Sequence, residues 1–413
     1  MVNEYFEQLT YGRTLDYYIF ELANFSIFGL ILLLLYRLNF INSNSLIAWL
    51  GIFLSPLLFN YLLFSPYLFP DQFEYAREAI SVKANGTSWA DIFFYSNNNF
   101  NLSTENFAPI STVVFSSKIL STIPLLNYMT VTSLAFANKA ILFITFLWFK
   151  RFFNNENEIL LYFLIPSILL YSSLAIRDTL IIVISIFFII NLIRGKIIWS
   201  ILALIPLFIL KIQMFAILLI YLVGYAIFQA HRSKNFFIFF IFIFLISGLI
   251  LEDLILLILD RYRLAFIAED FVGVDGAISY QGWDLYGGGE ESVPELSSIF
   301  SAIFLGLLNL PILLLIPMPW NWSGIFYPLQ TIESIFLVYL YFNLSRNKGV
   351  LMDYQYIFLT FILIMGLSIY ALLMANEGTF VRYRFTLFYP FLFGLLYLSS
   401  SDYQGSKKAY KED

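Results

Sequence analysis

The chain has 413 residues, of which 60% are hydrophobic and 12% are charged, and its mean hydropathy is +0.80. Soluble domains carry about 25% charged residues, so this composition excludes a protein that is soluble along most of its length. The net charge of -5 is spread along the chain without a basic patch, which excludes a nucleic-acid partner, and the lack of cysteine excludes disulfides and zinc–thiolate sites.

Long apolar segments predict an all-α polytopic membrane protein, with about eleven transmembrane helices in a single transmembrane domain, residues 1–413. The predicted spans are 18–36, 45–66, 128–149, 158–175, 179–193, 197–210, 212–229, 236–257, 325–344, 355–374 and 384–399. A further apolar segment, 296–317, is predicted to be re-entrant or interfacial, because a full crossing there would put Arg346 and Lys348 outside.

Basic residues in the short loops predict the orientation of these spans. They fall on one side of the membrane, which is predicted to be cytoplasmic together with the C-terminus: Arg37, Lys150, Arg151, Arg194, Lys196, Arg232, Lys234, Arg346, Lys348, Lys407 and Lys408. Two long polar segments then lie outside, an external loop at 67–127 with an amphipathic helix and an acidic, glycine-rich loop at 258–296. Because loops of this length are usually functional or disordered, we expect the chemistry on the outer face.

The first candidate group follows the second predicted span. Asp71, Glu74, Tyr75 and Glu78 share one face of a helix by their spacing. Carboxylates beside the bilayer surface can accept a proton from a sugar hydroxyl or hold a metal ion. The alternative is an interfacial amphipathic helix with an acidic, solvated face.

Charged residues that interrupt apolar runs provide the second group. Arg177 and Asp178 break the run from Ile159 to Ile193, and Lys211 lies at a junction between two predicted helices. Such charges are costly in a membrane and usually face a cavity or one another. Arg177 is therefore a candidate for an anionic ligand or a member of a local ion pair with Asp178, and Lys211 is a ligand contact or a lysine that snorkels to the interface.

The third group precedes the last predicted span. Glu377, Arg382 and Arg384 lie there, and an extended backbone would put both arginines on one side. Arginine suits bidentate contacts to phosphate, and the alternative is a simple interfacial anchor.

At these residues the chain resembles the bacterial O-antigen and exopolysaccharide polymerase-like (Wzy-like) membrane proteins, which are related to glycosyltransferases of the GT-C type. The resemblance spans most of the chain in short pieces: Pro70-Asp71-x-x-x-Tyr75, Ser173-x-x-x-Arg177-Asp178, Pro317-Met318-Pro319-Trp320 before Glu333, and Gly378-Thr379-x-x-Arg382-x-Arg384. It implies a polysaccharide polymerase in the bacterial inner membrane, acting on its external face on undecaprenyl-diphosphate-linked glycans. Membrane lipids and other polysaccharide-assembly proteins are the further partners that it implies.

The resemblance also implies roles for the candidate residues. Asp71 or Glu74 would be the catalytic base, and Arg177, Arg382 and Arg384, with Lys211, would bind the diphosphate. The chain departs from polymerases that use a histidine base, because its one histidine, His231, is predicted to be cytoplasmic. No cofactor or metal is expected, except a divalent metal at Asp71 under the alternative of a GT-C transferase that uses a polyprenyl-phosphate sugar. A lipid-linked glycan flippase or transporter is the further alternative, and it predicts charges buried along a path through the membrane.

Overall fold

A computed structural model describes most of the chain, and its regular elements there are all helices, without a strand. The described residues are 15–63, 71–94, 111–126, 130–231, 252, 253, 256, 257, 259, 296–315, 326–346, 354–373, 377–400 and 403. The predicted span 236–257 and the predicted loop 258–296 therefore lie almost entirely outside the described residues.

The helices follow one another along the chain with short connections. In the first half they are α1 (Leu15–Arg37), α2 (Ser43–Leu58), α3 (Asp71–Ala84), α4 (Trp89–Phe94), α5 (Thr112–Ser121), α6 (Val131–Phe149), α7 (Asn157–Phe163) and α8 (Pro166–Ser172). In the second half they are α9 (Asp178–Ile193), α10 (Ile197–Leu210), α11 (Ile212–His231), α12 (Ile299–Leu315), α13 (Phe326–Ser345), α14 (Tyr354–Leu373) and α15 (Glu377–Leu398).

Three described stretches are long and apolar enough to cross a bilayer, Ile19–Arg37, Val131–Phe152 and Tyr354–Leu372. Several other helices are apolar but have only 10–17 residues, among them α2, α9, α10 and α12. The all-helical architecture with candidate membrane spans agrees with a membrane protein. The described helices do not establish eleven full crossings.

The predicted helices and the observed ones differ most where the backbone breaks. The span predicted at 158–175 is wrong, because the structure has two short helices there, α7 and α8, with Pro166 at the start of the second. Proline has no backbone N–H to donate within a helix, so it favours a new helix start. The last helix begins at Glu377 rather than near 384, so Arg382 and Arg384 lie inside it.

The helices form two compact units, whereas a single transmembrane domain is expected from the sequence. The first unit comprises Met1–Phe187, Leu202–Ile212 and Ser400–Asp413, and the second comprises Phe188–Ile201 and Gln213–Ser399.

Helix α6 forms the centre of the first unit. Most of its side chains are buried on every face, as expected of a helix that is apolar all round. Trp49 of α2 is fully buried against Phe143 and Phe146 of α6, with ring centroids 4.8 and 5.3 Å away, and against Phe163 of α7. Aromatic packing therefore joins α2, α6 and α7.

Polar contacts at both ends fix α1 parallel to α6. Near their starts, the Thr130 hydroxyl donates to the Glu21 carboxylate at 2.6 Å. Beyond their ends, the backbone N–H of Asn42 donates to the Glu156 carboxylate, which also pairs with Lys150 at 3.2 Å. The basic turns at Arg37 and Lys150 thus lie at one end of this unit, in agreement with the sequence prediction for these two turns.

The second unit is built around α14. Helix α12 approaches it so closely that a Cβ added at Gly306 would lie 2.7 Å from the Ser368 carbonyl oxygen. Tyr341 of α13 and Thr360 of α14 share a hydrogen bond of 2.8 Å between their hydroxyls. Only glycine fits at position 306 at this separation, so the α12–α14 contact depends on it.

Candidate functional site

The first unit contains a break in an apolar, membrane-type segment. Helix α8 ends at Ser172 and α9 begins at Asp178, which leaves residues 173–177 without helical structure. The Ser172 hydroxyl donates to the Ile168 carbonyl, and the Ser173 hydroxyl donates to the Leu169 carbonyl at 2.5 Å. Serine hydroxyls that bond back to the preceding turn compete with the backbone for its acceptors, which favours a helix end at this point.

Buried amides from two other helices satisfy the carbonyls of the broken segment. Asn138 of α6 donates through its Nδ2 to the Leu174 carbonyl at 2.7 Å and to the Ile176 carbonyl at 3.1 Å. Asn60 donates to the Ser173 carbonyl at 3.0 Å. Irregular backbone at membrane depth is tolerated only where protein or a water-filled cavity satisfies it, and here the protein does so.

Asn60 itself lies in a second irregular element. It belongs to a π-helical turn, Phe59–Leu63, that directly follows α2. Close by, the Ser55 and Ser173 hydroxyls are hydrogen-bonded at 2.9 Å. Single π-helical turns are frequent at functional sites, and here one meets a broken helix in the same unit.

Lys139 is the buried cation of this cluster. Its side chain is fully buried, and its Nζ donates to the Leu169 carbonyl at 2.9 Å and to the Ser172 hydroxyl at 2.6 Å. A cation at the C-terminal end of a helix satisfies its unpaired carbonyls and opposes the negative end of its dipole. Lys139 therefore holds the end of α8, and among the described residues it forms no ion pair with a carboxylate.

Arg177 lies at the end of the broken segment, directly before α9. Its side chain is partly exposed, whereas Asp178 is buried with 2% exposure. The expected local ion pair between them is absent from these two described residues. Within the described part of the chain the Arg177 guanidinium has no hydrogen-bond or ion-pair partner, so it can bind an anion at the N-terminal end of α9.

Lys211 lies at the corresponding end of the neighbouring helix. The Ser200 hydroxyl of α10 donates to the Phe188 carbonyl of α9 at 3.2 Å, which pairs the two helices as a hairpin. Arg177 precedes Phe188 by eleven residues and Lys211 follows Ser200 by eleven, so both cations lie about 17 Å from this contact, at the same end of the hairpin. Lys211 is buried, with 5% exposure.

The acidic helix belongs to the same unit. Helix α3 packs on α5 and α6, and the Ser117 hydroxyl of α5 donates to the Tyr75 carbonyl at 2.9 Å. Helix α5 in turn meets the end of α10, where the Thr112 hydroxyl donates to the Ile209 carbonyl at 3.1 Å. A chain of packed helices thus connects the acidic helix with Lys211.

The two faces of α3 differ from the expectation for Tyr75. Asp71 and Glu74 are exposed in the first turn, but Tyr75 is buried with 4% exposure. The expectation that Tyr75 lies on the exposed acidic face is therefore wrong, because its large ring packs against the interior of the unit. Glu78 is partly exposed and lies 3.6 Å from the Arg77 guanidinium.

A short element with an exposed aromatic ring follows α3. Ser88 and Asp91 cap α4 reciprocally, the Ser88 N–H donating to the Asp91 carboxylate at 2.7 Å and the Asp91 N–H donating to the Ser88 hydroxyl at 3.2 Å. These two bonds lower the pKa of Asp91 from its ordinary value. Trp89 is 40% exposed, with the Lys118 ammonium 5.9 Å from its ring centre.

The third predicted group belongs to the second unit. Arg384 is buried, and its guanidinium donates to the Leu313 and Leu314 carbonyls at the end of α12, at 3.1 and 3.2 Å. The expected extended backbone is wrong, because the segment is helical. Arg382 and Arg384 therefore point about 200° apart around α15, and Glu377 is its first residue.

The structure thus brings Asp71, Glu74, Arg177, Asp178 and Lys211 into one unit and leaves Glu377, Arg382 and Arg384 in the other. The chain matches no protein-family model, no curated protein and no solved structure. Functional inference therefore rests on the side-chain contacts and on helix geometry.

Two residues of the cluster, Asn138 and Lys139, are absent from the sequence-based site. A signal for them exists, because a lysine inside an apolar run of membrane length is by default a functional candidate. Glu21, with 1% exposure in the first candidate span, gives the same signal. For metal ions, no group of three histidine, aspartate or glutamate side chains that could hold one occurs within the part of the chain that the structure describes.

Proposed function

We propose that the protein is a membrane glycosyltransferase, a polymerase that joins oligosaccharide repeats carried on undecaprenyl diphosphate. The observation that carries this proposal is the Arg177 guanidinium, which has no polar partner among the described residues and lies on a broken helix of the first unit. The acidic helix α3, in the same unit, supplies the carboxylates that the reaction needs.

Helix length supports a recessed site for the diphosphate. Helices α9 and α10 have 16 and 14 residues, or about 24 and 21 Å, whereas the hydrocarbon core of a bilayer is about 30 Å thick. If their connecting turn at Arg194–Lys196 lies at one surface, Arg177 and Lys211 lie about 6–9 Å below the other. A diphosphate at the interface can reach that depth while its polyprenyl chain stays in lipid.

In the proposed reaction, an acceptor hydroxyl attacks the anomeric carbon of the donor glycan. The carbon–oxygen bond to the diphosphate breaks, and its electron pair leaves with undecaprenyl diphosphate. Asp71 or Glu74 takes the hydroxyl proton, and Arg177 with Lys211 stabilises the charge that grows on the leaving group. Arg384 contributes less to this proposal, because two of its donors bind helix carbonyls.

The proposal includes the finer topology predicted from the sequence. About eleven helices would cross the inner membrane of a bacterium, with the re-entrant segment in addition and the C-terminus in the cytoplasm. The connection between α2 and α6, which carries α3 and α5, would be external. The Asn42–Glu156 contact supports this arrangement, since it puts the two basic turns of the first unit at the opposite end.

Polymer formation in proteoliposomes tests the proposal. The purified protein would be given an undecaprenyl-diphosphate-linked repeat unit, with the ladder of products and the released undecaprenyl diphosphate as readouts. Replacing Arg177 by Lys or Gln removes the planar fork, which should cost about 2–4 kcal/mol of transition-state stabilisation, or roughly a hundredfold in rate. Arg151→Gln, an exposed arginine at the opposite end of α6, is the matched control. Normal ladders from both Arg177 variants would disprove the assignment.

A second candidate function is a flippase or transporter for lipid-linked glycans. It is favoured by Glu21 and Lys139, which are buried inside two candidate membrane spans as a charge path through the membrane would require. Both side chains nevertheless bond to neighbouring helices, to Thr130 and to the end of α8. Translocation of a fluorescent lipid-linked glycan without any ladder of products would favour this function over polymerisation.

A further inference from the structure

Asn138 and Lys139 are adjacent on α6, and both are fully buried. Together they donate four hydrogen bonds of 2.6–3.1 Å to acceptors on the chain between Leu169 and Ile176. Three of these acceptors are backbone carbonyls on either side of the point where α8 ends. A continuous α-helix through this region would need the same carbonyls as acceptors for its own N–H groups.

We infer that Asn138 and Lys139 are positioning residues that hold residues 173–177 in the broken conformation and so fix the place of Arg177. Lys139 holds the last turn of α8, and Asn138 holds the segment that follows, up to the residue before Arg177. The role of Arg177 as a diphosphate contact rests on the proposed function, but the mechanical role of the two α6 residues does not.

The energetics favour this division of roles. Removing a donor leaves a buried carbonyl unsatisfied, which shifts a conformational balance by about tenfold for each typical hydrogen bond. Losing both donors of Asn138, or the ammonium of Lys139, therefore favours re-coiling of residues 173–177 into a helix continuous with α9. Position 177 then turns to another direction and loses its exposure.

The lack of cysteine in the chain gives a direct test by single-cysteine labelling. Arg177→Cys would be combined with Asn138→Leu, with Lys139→Met, and with Thr145→Val as the matched control. Thr145 is also buried on α6, but its hydroxyl bonds only to the Ile141 carbonyl of its own helix. The rate of reaction with a small water-soluble maleimide is the readout, and Ser88→Cys in each background reports on the fold away from the break.

We expect the labelling rate at position 177 to fall at least about tenfold with Asn138→Leu and with Lys139→Met, and to stay within about twofold with Thr145→Val. Labelling at position 88 should be equal in all backgrounds. Unchanged labelling at position 177 in both variants would overturn the inference. So would loss of the monodisperse species in both variants, since the two residues would then serve general stability.

A functional arm separates this inference from the proposed function. With Arg177 present, Asn138→Asp keeps the side-chain shape but loses both donors, and it should raise the KM for the lipid-linked donor more than it lowers kcat. If no variant or parent forms polymer, the proposed function fails while the labelling result still decides the positioning role. A fall in labelling with no change in KM would retain the positioning role and remove Arg177 from the binding site.

Discussion

Arg384 provides the sharpest test of a role read from contacts against a role read from sequence. Its guanidinium donates to two carbonyls at the end of α12, which contains Pro311. Hydrogen bonds from charged groups contribute about 1.5–3 kcal/mol each, and they are not fully additive, so Arg384→Met should cost about 2–4 kcal/mol. At about 2–4 °C per kcal/mol for a unit of this size, the thermal midpoint should fall by about 5–10 °C.

The assay is thermal unfolding of the purified protein in one detergent, followed by the intrinsic fluorescence and by static light scattering. Arg346→Met, which removes an exposed arginine just beyond α13, is the control and should leave the midpoint unchanged. Arg384→Lys keeps the charge and one or two donors, so it should recover part of the loss. An Arg384→Met protein that unfolds like the parent but forms no polymer would refute the reasoning and return Arg384 to the diphosphate site.

Three further outcomes are expected. Single cysteines at Ser88 and in 232–234, the latter outside the described residues, should react with an impermeant thiol reagent from opposite sides of the membrane, and labelling from the same side would contradict the topology. Polymer formation should survive EDTA, because arginine and lysine meet the leaving-group charge; activity lost in EDTA and restored by magnesium or manganese would instead favour a GT-C transferase with metal at Asp71. Trp49→Ala should destabilise the protein by about 3–5 kcal/mol, measured by thermal or chemical unfolding against Trp199→Ala, which changes an exposed tryptophan.

Helix positions follow closely from apolar runs when no residue interrupts them. The spans predicted at 325–344 and 355–374 agree with Phe326–Ser345 and Tyr354–Leu373 within about a residue. The prediction fails at 158–175, where hydropathy continues through the break. Hydropathy measures the apolar character of a segment, but the break depends on Pro166 and on serine hydroxyls that take carbonyls of the preceding turn.

Site residues are harder to predict, because their roles depend on distant partners. Arg177 is identifiable as a charge in an apolar run, yet its lack of an ion pair with Asp178 appears only in three dimensions. The two arginines of α15 look equivalent in sequence, but one of them caps α12, which lies 70 residues away along the chain. Tyr75 shares the spacing of the acidic face, and packing against the rest of the unit decides its burial.

The contact between Glu21 and Thr130 also affects how the chain is made. The two residues are 109 positions apart, so at a synthesis rate of about 5–20 residues per second the helix containing Glu21 leaves the ribosome roughly 5–20 s before Thr130 exists. During that interval the carboxyl group enters the bilayer without its hydroxyl donor, and the apolar residues of α1 that follow it must outweigh this cost. Insertion of α1 should therefore finish only when α6 arrives, and the first helix remains a substrate for membrane chaperones and quality-control proteases until then.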